Sequence, residues 1–198
     1  MIAEKFKILQ IVEEDILEAL EKKGGKSSSL IIEPEIRVSR SFITEAIKNL
    51  RGKNLIKLEK DIVYLTEEGA KKAKDIAKKH SIIENYFKKK KDKKMAYKIA
   101  SILEHYVSQE VINNIKKLST FKEEGVLLEN FKHEQGLITD ITSIKLFERI
   151  ISMGLCPGEK IKIVKKLPNG IIVRVENKKF ALGNEIANKI RVLDYKKH

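Results

Sequence analysis

Residues 66–87 read TEEGAKKAKDIAKKHSIIENYF. Thr66 suits an N-cap, Glu67 and Glu68 fall in the first turn where the helix dipole favours negative charge, and the pattern runs on through His80, Ile83, Tyr86 and Phe87. One long helix is expected. Beyond it the periodicity stops: Lys88 to Lys94 holds six lysines and one aspartate, too repulsive for burial, and reads as a solvated loop. Met95 to Leu118 resumes a single helix with Ile99, Ile102, Leu103, Tyr106, Val107, Val111 and Ile115 on a broad stripe. Such a stripe commonly buries part of itself against a second copy, so a homodimer is expected, its interface formed by Ile83, Phe87, Ile99, Ile102, Leu103 and Tyr106.

Upstream, Phe6, Leu9, Val12, Ile16 and Leu20 recur every three or four positions, an amphipathic helix over Phe6–Lys23 closed by Gly24 and Gly25. A short helical piece is expected around Ser29–Glu33, stopped near Pro34, and Ser39 opens another helix, Arg40–Leu50, with Ile43, Ile47 and Leu50 inward. Leu55 to Leu65 alternates around a charged break at Lys60 and Asp61, the mark of a hairpin. Helix, helix, helix and hairpin is a winged helix-turn-helix order. Downstream, residues 119–135 lack periodicity and read as a linker. Thr142–Met153 is helical, and Ile161, Ile163 and then Ile171, Val173, Val175 flank a Pro168-Asn169-Gly170 turn, a small β-barrel pattern.

Of 198 residues, 41 are Lys or Arg and 28 are Asp or Glu, a formal charge of +13. The excess is local: residues 1–35 hold 5 basic and 8 acidic side chains, residues 36–98 hold 19 and 8. A phosphate backbone would meet that middle stretch. No apolar run approaches the roughly 20 residues needed to span a bilayer, and the first residues lack a signal-peptide layout, so a cytoplasmic protein with no membrane partner is expected. The single cysteine, Cys156, excludes an internal disulfide and a metal cage of several thiolates, leaving nitrogen and oxygen ligands; in its Leu-Cys-Pro-Gly turn it reads as packing.

Two pairs of side chains bear on chemistry. Glu104 and His105 are adjacent in a helix and offer one oxygen and one imidazole to the same ion; His80 and Glu84 lie four apart on one helix face. Both pairs also suit ordinary local salt bridges. Asp15 and Glu18 share a face of the first helix, which suits a solvated acidic surface equally well. For DNA, Ser39, Arg40, Ser41, Thr44, Glu45 and Lys48 occupy the start and outer face of the second motif helix, and Lys57 and Lys60 the wing, where side chains meet base edges and phosphates. No nucleophile with a neighbouring base and no phosphate-cradling glycine loop is present, so neither an enzyme nor a small-molecule substrate is expected.

The stretch TEEGAKKAKDIAKKHSIIENYF, followed by ILEHYVSQEVINNI (102–115), resembles the metal-dependent repressors of the diphtheria toxin repressor, iron-dependent regulator and manganese transport regulator family. ISMGLCPGEKIKI (151–163), LPNGIIVRV (167–175) and FALGNEIANKIRV (180–192) resemble the SH3-like domain of the ferrous iron transport A (FeoA) protein, which is also fused to many of those repressors. The resemblance implies a mainly α protein with a small β component. Its parts are a winged helix-turn-helix over 1–66, a helical metal-binding and dimerisation domain over 67–118, a linker over 119–135 and a FeoA-like SH3-like β-barrel over 136–198. It also implies a homodimeric repressor activated by Fe²⁺ or Mn²⁺ that binds a palindromic double-stranded DNA operator.

Residue by residue, the resemblance makes Glu104, His105 and His80 metal ligands and matches Glu84 to an ancillary-site ligand of the iron-responsive branch. Asp15 and Glu18 resemble the Asp-x-x-Glu of the manganese branch, with Glu14, Asp15 and Glu18 all open as the ligand. Two positions depart from the family. Ser101 stands where a Cys or Glu ligand is usual and Tyr97 where iron-responsive members have a His; a serine hydroxyl is a weak ligand at neutral pH. Around Ala181–Asn184 the ancillary ligands some members draw from this domain have no equivalents. Glu33 and Pro34 also depart from the usual first motif helix. Two alternatives follow: a metal-independent regulator with a degenerate site, and an iron-handling adaptor acting through the SH3-like domain. His133 and His198 are assigned no role.

Overall fold

The computed structural model describes residues 2–28, 38–121, 123 and 125–194, with side chains from residue 5 onward. The expected helical piece at 29–33, Glu33, Pro34 and His198 lie outside the described residues. The chain divides into two units, Met1–His80 and Ser81–His198, and the boundary falls inside a helix.

In the first unit, helix α1 (Ile2–Lys22) begins a turn earlier than its apolar pattern predicts. Leu9, Val12, Ile16, Leu17 and Leu20 are buried, whereas Phe6, expected on the same stripe, is 73% exposed because it lies one turn ahead of the first buried position. Gly24 (φ +75) and Gly25 (φ +89) end the helix in the left-handed region, and the Gly25 amide donates to the Leu20 carbonyl at 2.8 Å. Strand β1 (Lys26–Ser28) was not expected: its Lys-Ser-Ser carries no apolar alternation. It is the edge of a three-stranded antiparallel sheet with β2 (Ile56–Glu59) and β3 (Ile62–Leu65), in the order β1-β3-β2. Between them lies α2 (Arg40–Gly52), which buries Ile43, Ala46 and Leu50. Full burial of side chains such as Ile16, Leu17, Leu50 and Ile56 contributes about 1.5–3 kcal/mol each. Glu13 is buried in α1, accepting from Asn49 Nδ2 at 3.1 Å and pairing with Lys53 Nζ, so both its oxygens hold α2 to α1.

The 66–87 reading holds at residue level. Helix α3 spans Glu67–Phe87, and the Gly69 amide donates to Thr66 Oγ1 at 3.0 Å. In the second unit the expected single helix over 95–118 is two: α4 (Lys93–Leu103), capped by Asp92, and α5 (Gln109–Leu118), capped by Ser108, which accepts from the Val111 amide at 3.3 Å. The Ser108 cap competes with helix continuation, while Tyr106 and Val107 keep the apolar spacing going across the turn. Strand β4 (Val126–Leu127) and a 3₁₀ turn (Leu128–Asn130) are followed by β5 (Gln135–Ile141), α6 (Ile144–Ser152), β6 (Lys160–Leu167), β7 (Gly170–Val175), β8 (Lys178–Gly183), α7 (Asn184–Ala187) and β9 (Ile190–Asp194). The six strands form one sheet, β4-β9-β5-β6-β7-β8, with every pairing antiparallel.

One core runs through this second unit, from Ile83 and Phe87 through the α4 and α5 stripes to Val192 and Leu193. Two expectations change as a result. The stretch 119–135, read as a linker, contributes Leu128 and Phe131 to that core. Of the six residues expected at a dimer interface, Ile83, Phe87, Ile99 and Leu103 are buried against their own chain, and only Ile102 and Tyr106 stay partly exposed. The lysine run is likewise not simply solvated. Lys91 Nζ meets the buried Asp140 carboxylate at 3.0 Å, Lys89 Nζ donates to the Ser119 carbonyl at 2.8 Å, and Lys90 Nζ contacts the Tyr86 hydroxyl, which donates to the Thr139 carbonyl at 2.7 Å. Among the described residues no helix is long and apolar enough to cross a membrane.

The turn 156–159 is where α5 is seated. Gly158 (φ +92) accepts from Asn114 Nδ2 at 2.9 Å, and Cys156 is buried beside it, in keeping with packing. Burial, then the nearby Glu176 and Glu110 carboxylates, push the Glu159 carboxyl up from 4.5 to about 7. Because the folded protein holds this proton more tightly than the unfolded chain, the stabilisation is complete below pH 4.5 and is lost as pH rises through 7. Glu159→Gln is expected to flatten the fall in stability between pH 5 and 8, gaining about 1 kcal/mol at pH 8 once screening at this half-buried site is allowed for. Urea titrations of both proteins at several pH values check it; parallel pH curves contradict it.

Candidate metal centre

Each unit carries its own set of nitrogen and oxygen donors. In the first, α1 presents Glu18 and α3 presents His80, with Nδ1 3.9 Å from Glu18 Oε1; their side chains are 12% and 7% exposed. Lys22, one turn along α1, reaches the same oxygen at 3.0 Å. Asp15, one turn back on α1, is half-buried. Glu14 accepts from Gln10 at 3.3 Å.

In the second unit Glu104 and His105 are not in a helix, as expected, but in the turn after α4, where Glu104 is the C-cap. The turn brings His105 Nε2 to 3.5 Å from Glu104 Oε1, and the two side chains are 4% and 1% exposed. Glu84 on α3 pairs with Lys88 at 3.0 Å, as a local helical pair. The Ser101 hydroxyl donates to the Tyr97 carbonyl at 3.1 Å, and the Tyr97 side chain is among the exposed large ones. A carboxylate as buried as Glu104 is costly unless a cation or several donors compensate it. An imidazole beside a carboxylate, present once in each unit, is the mixed N,O donor type that Mn²⁺ and Fe²⁺ accept, so the chemistry of these residues fits such an ion.

Also in the first unit, Ser39, Arg40, Ser41, Thr44 and Lys48 are all exposed along the start and outer face of α2. Ser39 and Ser41 share a hydrogen bond of 2.9 Å, Thr44 Oγ1 donates to the Arg40 carbonyl at 3.0 Å, and Glu45 pairs with Lys5 at 3.1 Å. Lys57 and Lys60 are exposed on the β2–β3 hairpin, Lys60 in the tight turn with φ +55. His133 is mostly exposed, 3.2 Å from Asp194. Glu13, Asp140 and Lys91 are the polar residues whose importance the sequence conceals, because each depends on a partner 36 or more positions away.

Residues 66–124 match the family described as the iron dependent repressor, metal binding and dimerisation domain, and residues 127–193 match the FeoA domain. No curated protein sequence matches the chain significantly. Among solved structures, it is similar to a manganese-dependent transcriptional repressor in complex with manganese, at 18% identity over 91% of this chain and 98% of that one, TM-score 0.48. It is also similar to IdeR of T. acidophilum, at 20% identity over 91% and 97%, TM-score 0.45. A FeoA iron uptake regulatory protein aligns at 30% identity over 34% of this chain and 93% of its own, TM-score 0.32. The chain therefore carries, one directly after the other, a metal binding and dimerisation domain of the iron dependent repressors and a FeoA domain.

Proposed function

We propose that this chain is a transcriptional regulator that binds a palindromic DNA operator as a homodimer when loaded with Fe²⁺ or Mn²⁺, and that it represses metal-uptake genes. The observation that carries the reading is the Glu104–His105 pair, almost wholly buried inside the region that matches a metal-binding domain. Glu104 and His105 in the second unit and His80 and Glu18 in the first would serve as metal ligands, with Asp15 as a further carboxylate and Glu84 as an ancillary ligand. The ion supplies the positive charge that lets buried carboxylates stay ionised. Residues 1–66, within the first unit, work as a winged helix-turn-helix: Arg40, Ser41 and Thr44 face base edges, while Ser39, Lys48, Lys57 and Lys60 meet phosphates. Because Glu18 and His80 belong to the same unit as α2, metal occupancy and the DNA-competent population would be linked. No residue is assigned a catalytic step, and the protein would work in the cytoplasm without a membrane partner.

A second reading, a regulator that needs no metal, draws support from Ser101, whose hydroxyl is committed to a backbone carbonyl where relatives carry a strong ligand. The test is selection from a pool of random duplex DNA at fixed salt, without metal and with Mn²⁺ or, anaerobically, Fe²⁺. A palindrome enriched only with metal is expected. Equal enrichment without metal establishes the second reading, and no enrichment under any condition favours an adaptor acting through the FeoA domain.

A further inference from the structure

The outward face of strands β6, β7 and β8 carries charge that no fold requires. Over residues 160–183 the chain has seven Lys or Arg and one acidic residue, Glu176. Register aligns three of the cations: Lys162 lies opposite Arg174, and Arg174 opposite Lys179, while Gln135 on β5 extends the same row. All four are exposed. Among the described residues no carboxylate lies within ion-pair distance of Lys162, Arg174 or Lys179. Residues directly opposite in antiparallel strands are close neighbours, and like charges there oppose folding. Past the irregularity in β6, Lys165 adds a fourth exposed cation. Beside the row, Lys132, Lys162, Lys166 and Arg174 line a shallow cavity of about 500 Å³ that contains one carboxylate, Glu134. Lys166 is held there by donating to the Glu129 carbonyl at 2.9 Å.

We propose that this face of the FeoA domain is a second DNA-binding surface, engaging the phosphate backbone of duplex DNA through Lys162, Arg174 and Lys179 without reading sequence. Strands lie about 4.8 Å apart, so the row spans about 10 Å. Duplex DNA presents a charge every 1.7 Å or so of its axis, so several phosphates face a row of that length. No aromatic side chain is exposed along the row, as insertion into a lipid surface would call for. The proposal gains its biological sense from the regulator reading but does not depend on metal or operator.

The experiment compares the full-length chain with Lys162→Gln/Arg174→Gln/Lys179→Gln, and separately with the triple change to Glu. Each is titrated with a non-operator duplex across 50–300 mM salt, and with vesicles containing one third anionic lipid. Losing three phosphate contacts should reduce the slope of log affinity against log salt by about 2–3 and weaken binding tenfold or more near 0.1 M salt. Thermal unfolding of the Gln variant should be unchanged or slightly raised at low salt, since removing repulsion cannot unfold the sheet. An unchanged slope on DNA overturns the proposal, as does wild-type binding to vesicles but not to the duplex. If the wild type enriches a palindrome with metal and the triple variant keeps the full salt slope, only this inference fails. If the wild type selects no sequence yet loses duplex binding in the variant, only the regulator reading fails.

Discussion

Glu104→Ala is expected to abolish the metal-dependent part of DNA binding while leaving a folded protein. The Glu104 side chain is 1% exposed and lies 3.5 Å from His105 Nε2, so the substitution removes one proposed ligand and the neighbour of another. Loss of groups that merely orient metal ligands costs 10–100-fold in affinity, and loss of a ligand should cost at least about 100-fold. Without metal the variant loses its contact with His105 as well as the desolvation cost of a buried carboxylate, so its own melting point is the reference for the metal effect. The metal-induced shift is the discriminating readout. Wild type at metal concentrations 100 times its Kd gains about 2.7 kcal/mol of stability, and the variant at the same concentration should gain almost none. Calorimetric melts with and without Mn²⁺, read beside operator binding by anisotropy, check both; a variant that retains the metal-induced shift removes Glu104 from the site.

The largest effect on folding is expected at Gly69, in the first turn of α3. A Cβ there would fall far inside van der Waals contact with the Leu55 carbonyl oxygen, and 3.3 Å from Thr66 Oγ1. The Leu55 carbonyl already accepts the Thr66 amide at 3.1 Å, and Thr66 Oγ1 accepts the Gly69 amide at 3.0 Å. An added methyl meets backbone on one side and the capping side chain on the other, so relief requires lifting the helix start off the hairpin. Gly69→Ala should destabilise the first unit by about 3 kcal/mol or more, beyond the usual cost of an extra methylene in a packed core. Gly52→Ala is the control, since nothing lies within 4 Å of its added Cβ. Equal denaturation midpoints for the two variants would refute the steric argument.

What the sequence revealed and what it hid divide along one line. Thr66, Glu67 and Glu68 announce α3 because capping is local chemistry, and the Lys60-Asp61 break marks the hairpin for the same reason. The Pro168-Asn169-Gly170 turn likewise sits at the β6–β7 connection. Contacts made across long stretches of chain were not legible. Glu13 looked like one more acid beside Glu14, and Lys91 like part of a solvated run, until Asn49 and Asp140 arrived opposite them. The break between α4 and α5 was concealed differently: apolar spacing crosses Tyr106 and Val107 without interruption, and only the Ser108 cap shows where the helix restarts. That break sets the geometry of the proposed ligand pair, because it moves Glu104 and His105 out of a helix, where adjacent side chains diverge, into a turn where their polar atoms meet.

The clamp at Glu13 bears on how such a protein can be re-aimed. Asn49 and Lys53, which fasten α2 to α1, lie at about 140° and more around the helix from Thr44. Anchorage and the proposed DNA-facing residues thus occupy separate stripes of one short helix. Arg40, Ser41, Thr44 and Lys48 form a replaceable cassette: a library varied at those four positions draws on neither the clamp nor the Ile43, Ala46 and Leu50 core, and new sequence preferences become reachable without re-engineering the scaffold that presents them.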